Sequence, residues 1–253
     1  MVQCRTVPGD VDGNLARATA LVQKAAGEGQ MDIVVLPEVF ATGFPYEQLP
    51  ELSNSSDTVI RSIAHLATDI SAHIMFTLVV SEDENFFNRF ISIGPAGKIE
   101  ATYDKTHLFS RAGEDRFFAR GDRLVLFKAS TAAVAPLICY EVRFPELARK
   151  QVLDGADILV IPAQWPAFRI FQWQTLLRAR AIENQCYVVG VGGLGKHGPT
   201  EMGGHSMVVG PFGEILCNLD DKEGYAMTVI GPDRIRDIRN KIPSLEERRP
   251  ELY

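Results

Sequence analysis

Cys139 closes the apolar run AAVAPLIC and stands just before FPELARKQVLDG, which reads as a helix opened by Pro145 and ending near Gly155. A thiol at such a strand-to-helix junction can be exposed and helped toward thiolate by backbone N–H groups and a nearby cation. The plainer reading is a small buried hydrophobe, the common fate of a free cysteine. Glu38 follows the apolar run IVVLP, where a carboxylate is costly to bury unless it is paired or hydrogen-bonded. Taken alone it reads as a strand-end acid facing water. Lys105, in TYDKTHLF with polar neighbours on both sides, reads alone as a surface lysine.

The elements that must position these side chains alternate. Residues 13–27 place Leu15, Ala18, Leu21, Val22 and Ala25 at helical spacing, and MDIVVLPE is a short apolar run of the kind found in a strand covered on both faces. Residues 57–70 read as a second helix and HIMFTLVVS as a second strand. Phe86–Ile93 and Lys98–Tyr103 flank GPAGK, whose Pro and Gly suit a hairpin turn. In the second half LVLFKAS, AAVAPLICYE, DILVIPAQW and CYVVGVGG read as strands. FQWQTLLRARAIENQ is strongly helical, HSMVVGPFGEIL reads as strand–turn–strand, and the tail RIRDIRNKIPSLEERRPELY starts as a charged helix and turns irregular at its prolines. One echo links the halves: DIVVLPE at 32–38 and DILVIPA at 157–163 each follow a helix and end in proline plus one residue. Two similar halves with converging strand ends are expected. No linker or low-complexity segment interrupts 1–253, which reads as one domain.

Composition narrows the function. The 253 residues are 46% hydrophobic and 23% charged with a net charge of -6, a soluble globular balance with no basic block for nucleic acid or an anionic membrane. No run approaches the roughly 20 apolar residues of a membrane helix, and the N-terminus lacks the apolar stretch of a signal peptide. Cys4, Cys139, Cys186 and Cys217 lie far apart without a C-x-x-C pair, so reduced thiols in a cytoplasmic protein are expected. His107, His197 and His205 show no metal-ligand spacing and read as ordinary polar residues. GVGGLG follows a strand without a helix after it and lacks the context of a dinucleotide fingerprint. A loop near the active site or a dimer partner is the better reading.

Together LPEVFATGF, YDKTHLF and LICYEVRFPE resemble, in order and spacing, the nitrilase superfamily of carbon–nitrogen hydrolases, and the resemblance runs from VPGD to RRPELY. It implies a four-layer αββα sandwich of two pseudo-symmetric halves. It further implies Glu38 as general base, Lys105 as the cation facing the oxyanion, Cys139 as nucleophile, and Glu114 beside the thiol and the amide nitrogen. A poor electrophile such as an amide carbonyl needs this set: a base for the thiol proton, and donors (Lys105 and the Tyr140 N–H) for the developing negative charge. No metal or organic cofactor is required on this reading.

YDKTHLFSRAGE, QWPAFRIFQWQTLLRARAIENQ and RRPELY are similar to the ω-amidase branch, whose substrates are short dicarboxylic monoamides such as α-ketoglutaramate and succinamate. Their far carboxylate calls for a guanidinium. Arg143 is the first choice, pairing with Glu146 or another acid being its structural alternative, and Arg111 and Arg116 follow. Phe44, Tyr46, Phe109, Gln164 and Trp165 are candidate pocket walls. HSMVVGPFGEIL and the glycine-rich GVGGLGKHG also resemble the deaminated-glutathione amidase branch, which leaves another amide or a nitrile open as substrate. A catalytically idle metabolite-binding relative is a further alternative. Two features depart from the family pattern: Glu141 replaces a common Asp, and Cys4-Arg5-Thr6 falls where an apolar run into glutamine is usual, which leaves the N-terminal edge undetermined. The resemblance implies at least a homodimer, with the C-terminal segment, about 232–253, at its interface.

Overall fold

The computed structural model describes residues 1–252. Its strands are β1 (Val2–Gln3), β2 (Arg5–Thr6), β3 (Ile33–Val35), β4 (His73–Glu82), β5 (Asn85–Ile93), β6 (Ile99–Asp104), β7 (Phe127–Ala129), β8 (Ala132–Pro136), β9 (Ile158–Ala163), β10 (Tyr187–Gly192), β11 (Leu194–His197), β12 (Thr200–Gly203), β13 (Met207–Val209), β14 (Ile215–Asn218) and β15 (Gly224–Tyr225). The helices are α1 (Val11–Ala26), α2 (Leu49–Ser53), α3 (Ser56–Asp69), α4 (Pro145–Leu153), α5 (Ile170–Asn184) and α6 (Pro232–Lys241).

The echo in the sequence is an echo in topology. β3 runs parallel to β4 across α3, and β4, β5 and β6 continue antiparallel. In the second half β9 runs parallel to β10 across α5, and β10, β13 and β14 continue antiparallel. Even the entry bonds match: His73 N–H donates to the Asp32 carbonyl at 2.9 Å, and Tyr187 N–H to that of Asp157 at 3.0 Å. The second sheet extends past β9 through β8 and β7. Of the expected strand LVLFKAS, only Phe127–Ala129 pairs.

Each layer follows from where apolar side chains fall. α3 buries Val59, Ile63, Leu66 and Ala67 on one stripe, which joins Ala18 and Val22 of α1 over the outer face of the first sheet. Trp173, Leu177 and Ala181 of α5 join Ala148 and Val152 of α4 over the second sheet. Between the sheets lie Val35, Met75, Phe90 and Tyr103 from one half, and Val134, Ile138, Val160 and Val191 from the other. The stacking is therefore helix, sheet, sheet, helix: the four-layer αββα sandwich.

The N-terminal edge is ordered by short pairings. β1 pairs with β15, and β2 runs parallel to β11. The glycines of GVGGLG have a packing reason, because a Cβ on Gly193 would lie 2.4 Å from the Gln164 amide. That loop thus closes directly on the residue that follows β9. Gly190 of β10 meets Leu177 of α5 as tightly, a Cβ there falling 2.4 Å from the leucine side chain. Gly190→Ala is therefore expected to cost ~1–3 kcal/mol by overpacking, read as a lower urea midpoint at unchanged slope.

Candidate active site

The carboxyl-terminal ends of β3, β8 and β9 meet, and the residues just past them form the floor of a cavity of about 580 Å³. After β3, Pro37 withholds a backbone donor and Val39 turns to φ 39, which swings Glu38 out of the sheet line. After β8, Cys139 adopts φ 46 at the head of a 3₁₀ turn, Cys139–Arg143. Positive φ is uncommon for residues with a Cβ and is held only when the surroundings over-determine it. This kink directs Cys139 to the cavity wall, where it is partly exposed.

Glu38, Lys105 and Glu114 are 1%, 2% and 2% exposed and bonded to one another. Lys105, just past β6, donates from Nζ to Glu38 Oε1 at 2.9 Å and to the two oxygens of Glu114 at 2.7 and 3.0 Å. Asn88 of β5 donates to the same pair of acids, at 2.8 Å to Glu38 and 3.3 Å to Glu114. The other Glu38 oxygen accepts from the Gln164 N–H at 2.9 Å, and Glu114 Oε2 from the Phe109 N–H at 2.7 Å. Burial works against the Lys105 charge, but the Glu114 and Glu38 carboxylates outweigh it and hold its pKa well above the usual lysine range.

Cys139 Sγ lies 3.7 Å from the Gln164 carbonyl oxygen. Burial raises the thiol well above its ordinary range, the Glu38 carboxylate adds to this, and Lys105 offsets only part. The resting side chain is consequently a neutral thiol, and an attack through sulfur needs a base at the moment the bond forms.

All candidate pocket residues from the sequence converge here: Phe44, Tyr46, Phe109, Arg143, Gln164 and Trp165 line the same cavity as Glu38, Lys105, Glu114, Cys139 and Tyr140. Gln164 is better described as support, because its Nε2 donates to the Glu38 carbonyl at 2.9 Å and to Thr6 Oγ1 at 3.2 Å. Arg143 lies over the Trp165 ring at 5.0 Å. Arg111 also lines the cavity, whereas Arg116 does not. Arg169, which sequence reasoning passed over, faces the Phe109 and Phe168 rings. Among the described residues none of Arg111, Arg143 and Arg169 forms an ion pair with an acid.

Other contributors escaped the sequence as well. Glu141 is fully buried: one oxygen accepts from Tyr103 OH, Thr106 N–H and Thr106 Oγ1, each at 2.7 Å, and from the His107 N–H at 3.1 Å, the other from the Ile138 N–H at 2.7 Å. It thereby locks the segment carrying Lys105 to the turn carrying Cys139. A carboxylate inside LICYEV, two residues from the thiol, was the available signal. His197 is corrected from an ordinary polar residue to part of the cavity wall, brought there by the β11–β12 hairpin.

The family model for carbon–nitrogen hydrolases matches residues 1–240. The chain belongs to the carbon–nitrogen hydrolases. It is thus an enzyme of the nitrilase superfamily, similar to that superfamily's ω-amidase-like branch. It is 37% identical over 229 residues to a hydrolase encoded in the agr operon of Staphylococcus lugdunensis, covering 88% of this chain and 97% of the relative. It is 31% identical to a 2-oxoglutaramate amidase of Bacillus subtilis, covering 95% and 93%. Among solved structures, a carbon–nitrogen hydrolase superfamily protein from Xanthomonas campestris, carrying an arsenic adduct in its active site, superposes with a TM-score of 0.92 at 30% identity, over 98% of this chain and 96% of that one.

The raised thiol makes a kinetic forecast. Alkylation of Cys139 by iodoacetamide should run more than about tenfold slower at pH 8 than that of a free cysteine, and should still be climbing above pH 9. A plateau at or below about pH 8.5 would contradict the assigned environment.

Proposed function

We propose that this hydrolase releases ammonia from the terminal amide of small dicarboxylic monoamides, α-ketoglutaramate foremost, through a thioester on Cys139. The observation that carries the reading is the charge layout of one cavity: an acid–ammonium–thiol floor below three arginines that no acid among the described residues pairs. A cationic wall suits a substrate whose far end is a carboxylate, and planar guanidinium groups bind one bidentately. Arg143 is the leading candidate, its guanidinium 5.0 Å from the centre of the Trp165 ring. The 2-oxoglutaramate amidase of Bacillus subtilis supports the choice of substrate by similarity.

Each step falls to a residue already placed. Glu38 takes the Cys139 proton as sulfur bonds to the amide carbon. The oxyanion meets the Lys105 ammonium and the Tyr140 N–H; the first N–H groups of a helical turn have no acceptor within it. The ammonium's three contacts all go to carboxylate oxygens, two of them on Glu114, and one of those two passes to this oxygen as the oxyanion forms. A desolvated donor of this kind is typically worth ~3 kcal/mol. Glu38 then returns its proton to the nitrogen, the C–N bond breaks, and ammonia leaves a thioester. A water gives its proton to Glu38 and attacks the same carbon, and the departing sulfur takes that proton back as the acid is released. Glu114 holds Lys105 in line and faces the amide nitrogen.

The same reading treats the two halves as one catalytic domain in a cytoplasmic protein; no described helix is long and apolar enough to cross a membrane. It also treats the protein as a homodimer, formed through the outer side of α5, where Phe171 is 78% exposed, together with the C-terminal segment. Sedimentation should give twice the chain mass, and Phe171→Glu should shift it to the monomer.

The deciding assay is ammonia release. The native protein should turn over α-ketoglutaramate and succinamate, and Cys139→Ala should lose at least about a thousandfold. Glutamine, whose α-ammonium would meet arginines and no free acid, should be at least about a hundredfold poorer. Release from neither monoamide would refute the proposed substrate class.

A further inference from the structure

Asn88, in β5, touches every charged member of the buried cluster. Its main-chain carbonyl accepts the Lys105 N–H at 3.1 Å, and its side-chain Nδ2 donates to Glu38 Oε1 at 2.8 Å and to Glu114 Oε1 at 3.3 Å. The residue is 1% exposed and does not line the cavity. Its amide can face only one way, because turned over it would set Oδ1 against two carboxylates. In the orientation it has, Oδ1 is buried without a hydrogen-bond partner. An unpaired buried acceptor is costly, so what this side chain contributes lies at its donor end.

A carboxylate offers about four acceptor positions, two on each oxygen. Glu114 has all of them filled: Lys105 Nζ and Asn88 meet Oε1, and Lys105 Nζ and the Phe109 N–H meet Oε2. On Glu38, Lys105 and Asn88 fill Oε1. Among the described residues, Oε2 accepts from the Gln164 N–H alone. Before a substrate arrives, the two acids thus keep one open acceptor position, on Glu38 Oε2. The thiol lies at the same residue, for Cys139 Sγ is 3.7 Å from the Gln164 carbonyl oxygen. After burial, Glu38 is what raises this thiol, by its charge and as a hydrogen-bond acceptor.

We propose that Asn88 is a positioning residue that selects the working oxygen of the base: by filling the second acceptor position of Glu38 Oε1, it leaves Oε2 to take the Cys139 proton and later to deliver it to the departing nitrogen. This rests on Glu38 acting as the general base of the thioester mechanism given above. The electron pair of the S–H bond stays on sulfur as sulfur bonds to the amide carbon, and the proton forms an O–H bond at Oε2. Without the amide of Asn88, Oε1 would open a second position for that proton. That position points into β5 and away from the cavity, so a proton resting there is out of line with both the thiol and the substrate nitrogen.

Two substitutions of similar size separate this role from packing. Asn88→Leu removes the donor, and Asn88→Asp replaces it with an oxygen turned toward two acids. On α-ketoglutaramate, kcat should fall at least about tenfold in Asn88→Leu and further in Asn88→Asp. KM should stay within about twofold in both, because Asn88 lies outside the cavity. A residue that only fills space would leave the kcat of Asn88→Leu near the native value. That result, or a loss carried by KM, would overturn the proposal. Neutron diffraction of the native protein reads the same point without a variant or a substrate. Asn88 should carry two deuterons on the atom facing Glu38 and Glu114, and on acidification of the crystals the first deuteron taken up by Glu38 should sit on Oε2. A deuteron on Oε1, or the Asn88 oxygen facing the acids, is the result that rejects the role of Asn88. No turnover of either monoamide by the native protein would overturn the substrate reading alone, with the neutron result still deciding this one.

Discussion

One buried ammonium holds the site together. Lys105 is shared by Glu38 and Glu114, and all three are almost wholly withdrawn from water. Moving such ions out of water costs several kcal/mol each, and mutual attraction offsets this only with excellent geometry and full hydrogen bonding. The geometry here is complete: Asn88 bridges the two acids, and the Gln164 and Phe109 N–H groups satisfy the outer oxygens. The partners come from strand ends of both halves and from the loop after Lys105. Any drift of one segment would strand a buried charge, so the arrangement fixes the sheets relative to each other.

The fold answers that demand by repeating a unit. Each half sends a parallel strand pair toward the same point, and each supplies what the other lacks. The β3 end gives Glu38, whose second oxygen is held by the β9 end, and the β8 end gives Cys139 in a strained turn. The strain at Val39 and Cys139 is maintained by packing on both faces of the sheets, where Ile138 and Leu137 are fully buried. Glu141 then binds that turn to the segment of Lys105. Cys139 and Lys105 are therefore positioned by one carboxylate.

What the sequence disclosed and what it hid divide along a physical line. Helices and strands were legible because apolar periodicity is local, and the pairing of DIVVLPE with DILVIPA made the two halves visible before any coordinates. Glu38, Lys105 and Cys139 were legible as a set only through the family resemblance, since alone each read as a surface or buried residue; the fold brings them to one cavity. Asn88 was silent, for an asparagine in a strand gains meaning only when two acids arrive across the sheet. Gln164 was noticed as a wall, although its main service is a backbone N–H, which no side-chain reading detects. His197 and Arg169 were missed because a hairpin and a helix entry fold back over the site, and sequence shows those as a glycine-rich loop and an amphipathic start. The strand expected at LVLFKAS shortened to three paired residues, since apolar character without a neighbouring ladder does not make a strand.

The charge layout also bears on turnover. On the proposed reading, the substrate enters with a neutral amide toward the two carboxylates and an anionic end toward the arginines, each end in a compatible field. Hydrolysis changes only one of these ends. It creates a second carboxylate beside Glu38 and Glu114, where Lys105 is already committed to both. Like charges at such short range in a desolvated site repel strongly. The product diacid is thus held well at one end and rejected at the other, while the neutral amide that replaces it meets no such penalty. Binding strength is spent on the end that does not react, and the chemical step itself weakens the grip on what it has made.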